Sequence, residues 1–390
     1  MNKLFNHSYI LTYFAYFVAN SILCKTSHSP LSLGVGFVLL ALGLATFFLY
    51  FTQKRSKPPI PHYVLFALFY FLLSSFLNNT TNMSFFSIDC GIWLVSPFCF
   101  IVGAYAFSEK VSNNFIFVVT VIALVLAFPG ILFSYSDIGI QSSSAYFFYY
   151  SVMPFIFVYL IHFIYTKKNN LAYCLIVLLI IMIILSSKRG ALLALLPFLL
   201  CITIFEIHIN FKTILALIVG FGIIYFIIIY YFSDQMQFIA NRFMEDDSDN
   251  FGSGRSFIWE IVLFDYYNGS IFEWIFGKGV YNTCRLTGLY LDHDYSAHST
   301  YIGLLHDYGI IGVFCFVRLI IGMIVKAKSA LKAHYKYGHI MLSLALTLAL
   351  VGITEYLFEF YMWFIALYFY WYFARDFDVN CKLNKKVYEN

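Results

Sequence analysis

Along most of this chain polar residues stand singly, and the apolar runs between them are near the ~20 residues that a helix needs to cross ~30 Å of hydrocarbon. The pattern predicts twelve spanning helices, at 8–23, 31–52, 62–78, 91–107, 114–133, 145–165, 171–187, 190–206, 212–232, 300–325, 339–354 and 358–374. Two hairpins rest on inferred breaks, "SSKRG" within 171–206 and "TEYLFE" within 339–374. The organisation expected is nine helices over 1–232, one long loop over 233–299, and three more helices with a tail over 300–390. The fold class is therefore all-α, a polytopic transmembrane bundle.

Composition sharpens this picture. Hydrophobic residues fill 61% of 390 positions and only 11% are charged, more apolar surface than a water-soluble single domain can bury. The first apolar run lacks a short core followed by a small-residue cleavage site, so it reads as a true helix and not a removable signal. The eight cysteines, Cys24, Cys90, Cys99, Cys174, Cys201, Cys284, Cys315 and Cys381, show no CxxC spacing. Four fall within expected spans, where a small apolar residue is the ordinary reading.

Positive charge orients the bundle, because short cytoplasmic loops hold the excess of Lys and Arg. With the N-terminus inside, sixteen cations fall on inner segments, among them Lys54, Arg55, Lys167, Lys326 and Lys336. Seven fall outside: Lys25, Lys188, Arg189, Arg242, Arg255, Lys278 and Arg285. Both termini are thus expected in the cytoplasm. Arg318, late in its helix, is expected to snorkel inward. This bias accounts for the net charge of +4 without a nucleic-acid partner, and no glycine-rich nucleotide loop is present.

The long loop faces outside in this topology, and connections of such length in compact proteins usually serve function. Its stretch "RSFIWEIVLFDYYNGSIFEWIF", residues 255–276, mixes apolar clusters with single acids, as suits helices lying at the membrane interface. Three polar outliers gather on the same side: Arg189 in "SSKRGALLALL", Arg255 in "FGSGRSFIW", and His298 just before a helix at Thr300. Each has a plainer reading. Lys188 and Arg189 could anchor a helix end at head groups, Arg255 could pair with "EDDSD" at 245–249, and His298 could simply face water.

Two metal motifs fail on spacing. In "DDSDNFG", a calcium loop counted from Asp247 would put Phe251 fifth and Ile258 twelfth, where oxygen ligands are needed. Asp292, His293, Asp294, His298 and His306 lack the HExxH spacing that sets two imidazoles on one helical face.

Taken in order, "SSKRGALLALL", "GRSFIW" at 254–259, "FGKGVYN" at 276–282 and "AHSTYIGLLHDYGIIG" at 297–312 resemble the signatures of the membrane O-antigen polymerases and O-antigen ligases. The likeness covers about residues 180 to 325. Lys188 departs from a usual Ser, Ser299 from a usual Asn, and Asp307 from a usual Glu. The resemblance implies an inner-membrane glycosyltransferase with its site on the periplasmic loop. Its donor would be an oligosaccharide on undecaprenyl pyrophosphate and its acceptor a second lipid-linked glycan, with a chain-length regulator as a further partner and no cofactor or metal.

The chemistry so implied assigns roles. Displacing pyrophosphate from the anomeric carbon builds charge on the leaving oxygens, which a planar, always-charged guanidinium can grip at two points. Arg189 and Arg255 are the candidates, with Arg285 a third and Lys188 beside them. His298 is the candidate base for the acceptor hydroxyl; Asp294 is the alternative base or the residue that orients the ring. Asp307 is expected to hold a hydroxyl or an arginine, while Glu355 and Glu359 are candidates to line the same mouth. Gly309 and Gly312 are expected to allow close helix packing. Single displacement would invert the anomeric centre. A ligase acting on lipid A core and a flippase of lipid-linked glycans are the competing functions.

Overall fold

The computed structural model describes residues 60–77, 255–279, 282–291, 295–357 and 362–389, with isolated helical positions at 41, 45, 193, 195–197 and 200. Among the described residues every regular element is an α-helix. We number them α1 (His62–Leu77), α2 (Arg255–Tyr267), α3 (Ile271–Phe276), α4 (Asn282–Leu291), α5 (Thr300–Lys332), α6 (Gly338–Thr354) and α7 (Met362–Glu389). The eight other expected spans, 8–23, 31–52, 91–107, 114–133, 145–165, 171–187, 190–206 and 212–232, lie outside the described residues apart from those isolated positions.

Helices α1 and α6 fall where hydropathy puts them, at 62–78 and 339–354. Helix α7 departs from expectation by running to Glu389, well past residue 374. Its polar half is held against the end of α5: Lys326 pairs with Asp378, and the Tyr335 hydroxyl donates to Asp376 at 2.6 Å. Asn380 donates in turn to Asp376, one turn earlier on the same helix.

Helix α5 is long and apolar enough to cross a membrane, and it starts where the sequence says, with Ser299 in extended conformation accepting the Ile302 N–H. It is not the single straight span expected over 300–325. Gly309 has φ 66° and ψ −170°, a region open essentially to glycine alone, and the helix turns back on itself there. Tyr301 and Phe316 would be ~22 Å apart along a straight helix, yet their ring centroids lie 5.4 Å apart. A Cβ placed on Gly312 would come within 3.3 Å of the Leu304 carbonyl oxygen. The helix therefore consists of a short first arm, 300–308, and a long second arm, 310–332.

A break of this kind frees carbonyls that helix continuation would have bonded, and in a membrane bundle they must find other donors. All three carbonyls before Gly309 do. The strap between α3 and α4 supplies two, with Lys278 N–H donating to His306 O and Gly279 N–H to Asp307 O, each at 2.9 Å. Helix α1 supplies the third, its Tyr70 hydroxyl donating to Tyr308 O at 2.6 Å. The strap fits because Gly277 and Gly279 both take positive φ, 81° and 108°. Gly277 and Gly309 meet face to face: a Cβ on either would lie 2.3 Å from backbone atoms of the other's segment.

The remaining helices brace this centre. Helix α1 runs antiparallel to the second arm, with the Phe71 ring edge-on to Tyr308 at 4.9 Å and Arg318 stacked over Tyr63 at 4.7 Å from the ring centroid. Because Tyr63 is the second residue of α1, this contact puts the Arg318 guanidinium at that helix's N-terminal end, the side expected to face the cytoplasm. Helix α6 returns antiparallel to the second arm until its end reaches the start of the first. There Thr300 N–H and Oγ1 both donate to Glu355 O, at 3.0 and 2.8 Å.

Gly309→Ala should therefore fail where an ordinary helical glycine would tolerate alanine. Backbone strain costs about 1–3 kcal/mol, and the clash with Ile275 adds to it. Loss of abundance and a lower unfolding midpoint in detergent are the expected readings; an unchanged midpoint would mean the break does not need glycine.

Candidate functional site

Helix α2 presents two residues, one turn apart, to the entrance of the first arm. The Arg255 guanidinium pairs with Glu355 Oε1 at 3.1 Å, and Trp259 Nε1 donates to Ala297 O at 2.6 Å. Glu355 is 1% exposed whereas Arg255 is half-buried, so the pair sits at a boundary with the arginine on its open side. The expected alternative partner of Arg255, the acidic run 245–249, lies outside the described residues.

His298 stands between these anchor points. It has φ 45°, left-handed backbone uncommon in a residue with a side chain. Both flanks are fixed: Ala297 through Trp259, and Ser299 and Thr300 through the N-cap and Glu355. The imidazole is half-buried and its ring centroid lies 6.4 Å from that of Tyr295. The structure thus brings Arg255, Glu355 and His298 to one corner. Lys188, Arg189, Asp292, His293, Asp294 and Glu359 lie outside the described residues. Arg285 is exposed on α4, away from the Arg255 pair in sequence and in hydrogen bonding.

Asp307 occupies a different position, at the far end of the first arm. It is 1% exposed and its Oδ1 accepts from Thr283 N–H at 2.9 Å and Thr283 Oγ1 at 2.7 Å. Of the two groups expected for it, a hydroxyl or an arginine, it holds a hydroxyl, and that hydroxyl is the protein's own. A carboxylate on the first turn of α4 also complements the partial positive charge of a helix start.

Beside it, His306 is 1% exposed and bridges two carboxylates, with Nδ1 2.9 Å from Asp307 Oδ1 and Nε2 2.9 Å from Asp265 Oδ2. Lys278 Nζ completes the chain at 2.7 Å from Asp265 Oδ2. With both carboxylates ionised, the ring donates on both sides as imidazolium, and two cations alternate with two anions. This balance is what lets such groups leave water. The hydrogen bond from His306, then the bond and charge of Lys278, hold the Asp265 carboxyl down at about 2 against the desolvation of partial burial.

The sequence places His306 in a cluster whose spacing fails as a zinc site and Lys278 among the outer-loop cations, and it gives no role to Asp265 or Thr283. The available signal was local: a lysine between two glycines, and one acid embedded in "IVLFDYY". Neither points to the other without the fold. Among the described residues, no group of three or more His, Cys, Asp or Glu side chains is arranged to hold a metal ion.

Residues 174–317 match the family model described as O-antigen ligase. The matched stretch contains Arg189, Arg255, His298 and the broken part of α5. The match supports the family of membrane glycosyltransferases that covers O-antigen ligases and polymerases alike, for this portion of the chain, and does not divide one from the other. No curated protein matches the chain.

The depressed Asp265 carboxyl gives a pH dependence. A group whose acidity is raised by folding contributes stability above its unfolded value, near 3.8, and loses that contribution as pH falls toward about 2. The unfolding midpoint of the wild-type protein should fall more steeply than that of Asp265→Asn between pH 4 and pH 2.5, and thermal scans across that interval check it.

Proposed function

We propose that this protein is an O-antigen polymerase. It would transfer a glycan from undecaprenyl pyrophosphate to a hydroxyl of a second lipid-linked repeat unit at the periplasmic face. The observation that supports the reading is the placing of Arg255 and His298 on neighbouring segments, linked through Glu355 and Thr300 and through Trp259 and Ala297, within a stretch similar to the O-antigen ligase family. The guanidinium is tied to Glu355, and the half-buried imidazole sits on a turn pinned at both flanks.

The reaction assigned to that corner is one displacement. The acceptor oxygen attacks the anomeric carbon and its proton passes to the neutral His298 imidazole. The bond from that carbon to the pyrophosphate oxygen breaks, and undecaprenyl pyrophosphate leaves with the bonding pair. Arg255 and Arg189 receive the charge that develops on the leaving oxygens, and the configuration inverts. Arg suits this because its fork meets two oxygens at once, and in a shielded site each such donor is worth on the order of 3 kcal/mol. Glu355 holds Arg255 until the pyrophosphate offers it more oxygens. The ligase alternative uses the same donor and leaving group with lipid A core as acceptor.

Arg255→Ala and His298→Ala should each reduce transfer roughly 100-fold or more while the protein remains inserted and abundant. Normal polymer length on lipopolysaccharide gels from either variant would remove that residue from the site. Arg189→Lys should also be damaging, since charge without the fork does not suffice. A deletion strain decides the acceptor: lipopolysaccharide bearing one repeat indicates a polymerase, and bare core with accumulating lipid-linked polymer indicates a ligase. Activity of purified protein should survive EDTA; complete loss reversed by a divalent ion would overturn the metal-independent step.

A further inference from the structure

Helix α2 and the first arm of α5 lie side by side and run in the same sense, joined at both ends. Near the start of each, Trp259 holds Ala297 and Arg255 holds Glu355, whose carbonyl holds Thr300. Near the finish of each, Asp265 holds His306. The strap adds a third member, because Lys278 gives its ammonium to Asp265 and its N–H to the His306 carbonyl. Arg255 and His298 are thus carried on two parallel rods, and their spacing is set by the fastenings at the rods' ends.

We infer that His306 and Asp265 are positioning residues for the transfer reaction, fixing the separation of Arg255 and His298 by buckling α2 to the first arm of α5. Burial of an imidazole with both nitrogens engaged by carboxylates from two different elements is a costly arrangement. A simple packing contact between two amphipathic helices would be met by an apolar residue at the same place. The imidazole instead supplies two directed bonds on opposite sides, one across to Asp265 on α2 and one back to Asp307 on its own arm, so that the ring is held in orientation while it sets the register of the two rods. A misplacement of about 1 Å at reacting groups costs on the order of 100-fold in rate, so a fastening remote from the site can govern turnover without touching substrate. The kinetic consequence rests on the proposed transfer reaction, and the mechanical one on the hydrogen bonds between α2 and the arm.

Two amide replacements separate the two sides of the ring. His306→Asn keeps a donor near the position of Nδ1, so Asp307 stays bonded and Asp265 retains Lys278, but the tie between α2 and the arm is gone. His306→Gln keeps a donor near Nε2, so the tie survives, while Asp307 retains both bonds from Thr283. The full-length protein in lipid nanodiscs is assayed with a polyprenyl pyrophosphate-linked oligosaccharide, and Asp265→Ala, which removes the acceptor itself, is included as a second lesion of the same tie. The expected result is kcat reduced tenfold or more in His306→Asn and Asp265→Ala, with the donor KM within about threefold of wild type. His306→Gln should keep at least a third of wild-type kcat. Equal losses in the Asn and Gln variants, or full activity in His306→Asn, would overturn the inference.

Hydrogen exchange of the same proteins without substrate reads the mechanical part independently of any activity. Amides of 255–267 should exchange faster in His306→Asn than in wild type and be unchanged in His306→Gln. Unchanged protection in His306→Asn would sink the fastening whatever the reaction. Were the wild-type protein to transfer nothing, the proposed function would fail, and the exchange pattern alone would decide the fastening.

Discussion

The arrangement of α1, α2, the strap and the first arm of α5 depends on the main-chain break at Gly309. A helix that folds back on itself leaves carbonyls pointing away from its own axis, and where water is scarce such groups cost several kcal/mol if left unmet. Here the three carbonyls of His306, Asp307 and Tyr308 are met by Lys278 N–H, Gly279 N–H and the Tyr70 hydroxyl. The donors come from a loop far earlier in the chain and from another helix earlier still. The break thus recruits its own surroundings: the strap must lie across it, α1 must stand beside it, and the glycines at 277 and 309 must be where side chains would collide.

From this follows the placing of the candidate site. The fold-back converts the start of an apolar helix into a short separate arm whose entrance lies against the end of α6, where Glu355 terminates that helix with extended backbone. Helix α2 docks along the arm because its Trp259 and Arg255 find a carbonyl and a carboxylate there. The left-handed turn at His298 connects the loop to the arm, and with its neighbours pinned the histidine has no freedom to relax into ordinary backbone. Strain of about 1–2 kcal/mol per such residue is held by packing at some distance from it, which is the usual arrangement for a residue with work to do.

Hydropathy made α1 and α6 legible nearly to the residue, since an apolar run bounded by polar turns has one economical structure in lipid. The polar half of α7 is not legible, because its helix continues on the strength of partners at the end of α5 and in the turn after it, Lys326 and Tyr335, that a one-dimensional reading cannot see. Gly309 passes for a helical glycine in the sequence for a related reason. "YIGLLHDYGIIG" is continuously apolar enough to pass as one helix, and the information that breaks it lies in "FGKG". The corner itself was partly visible: Arg255 and His298 stood out as lone polar residues beside helix starts. Their ties through Trp259 and Glu355 were not, nor was the use of Asp265, whose meaning appears only when His306 arrives from the other side.

The way the break is satisfied also bears on what kind of chemistry this face can do. In transporters, unwound segments near the bilayer midplane leave carbonyls and helix ends free to coordinate ions and substrates, and the break is the binding site. In this protein the freed carbonyls are consumed by the protein's own donors, and the adjoining cations and carboxylates neutralise one another in the row Lys278, Asp265, His306, Asp307. What remains open to a ligand is displaced toward the arm's entrance, where Arg255 is half-exposed beside a carboxylate it could relinquish to a more highly charged partner. A break sealed in this way supports geometry and not conduction. For the proposed transfer reaction, the spacing of the two rods, set by their fastenings, is then the constraint on geometry rather than any single side chain.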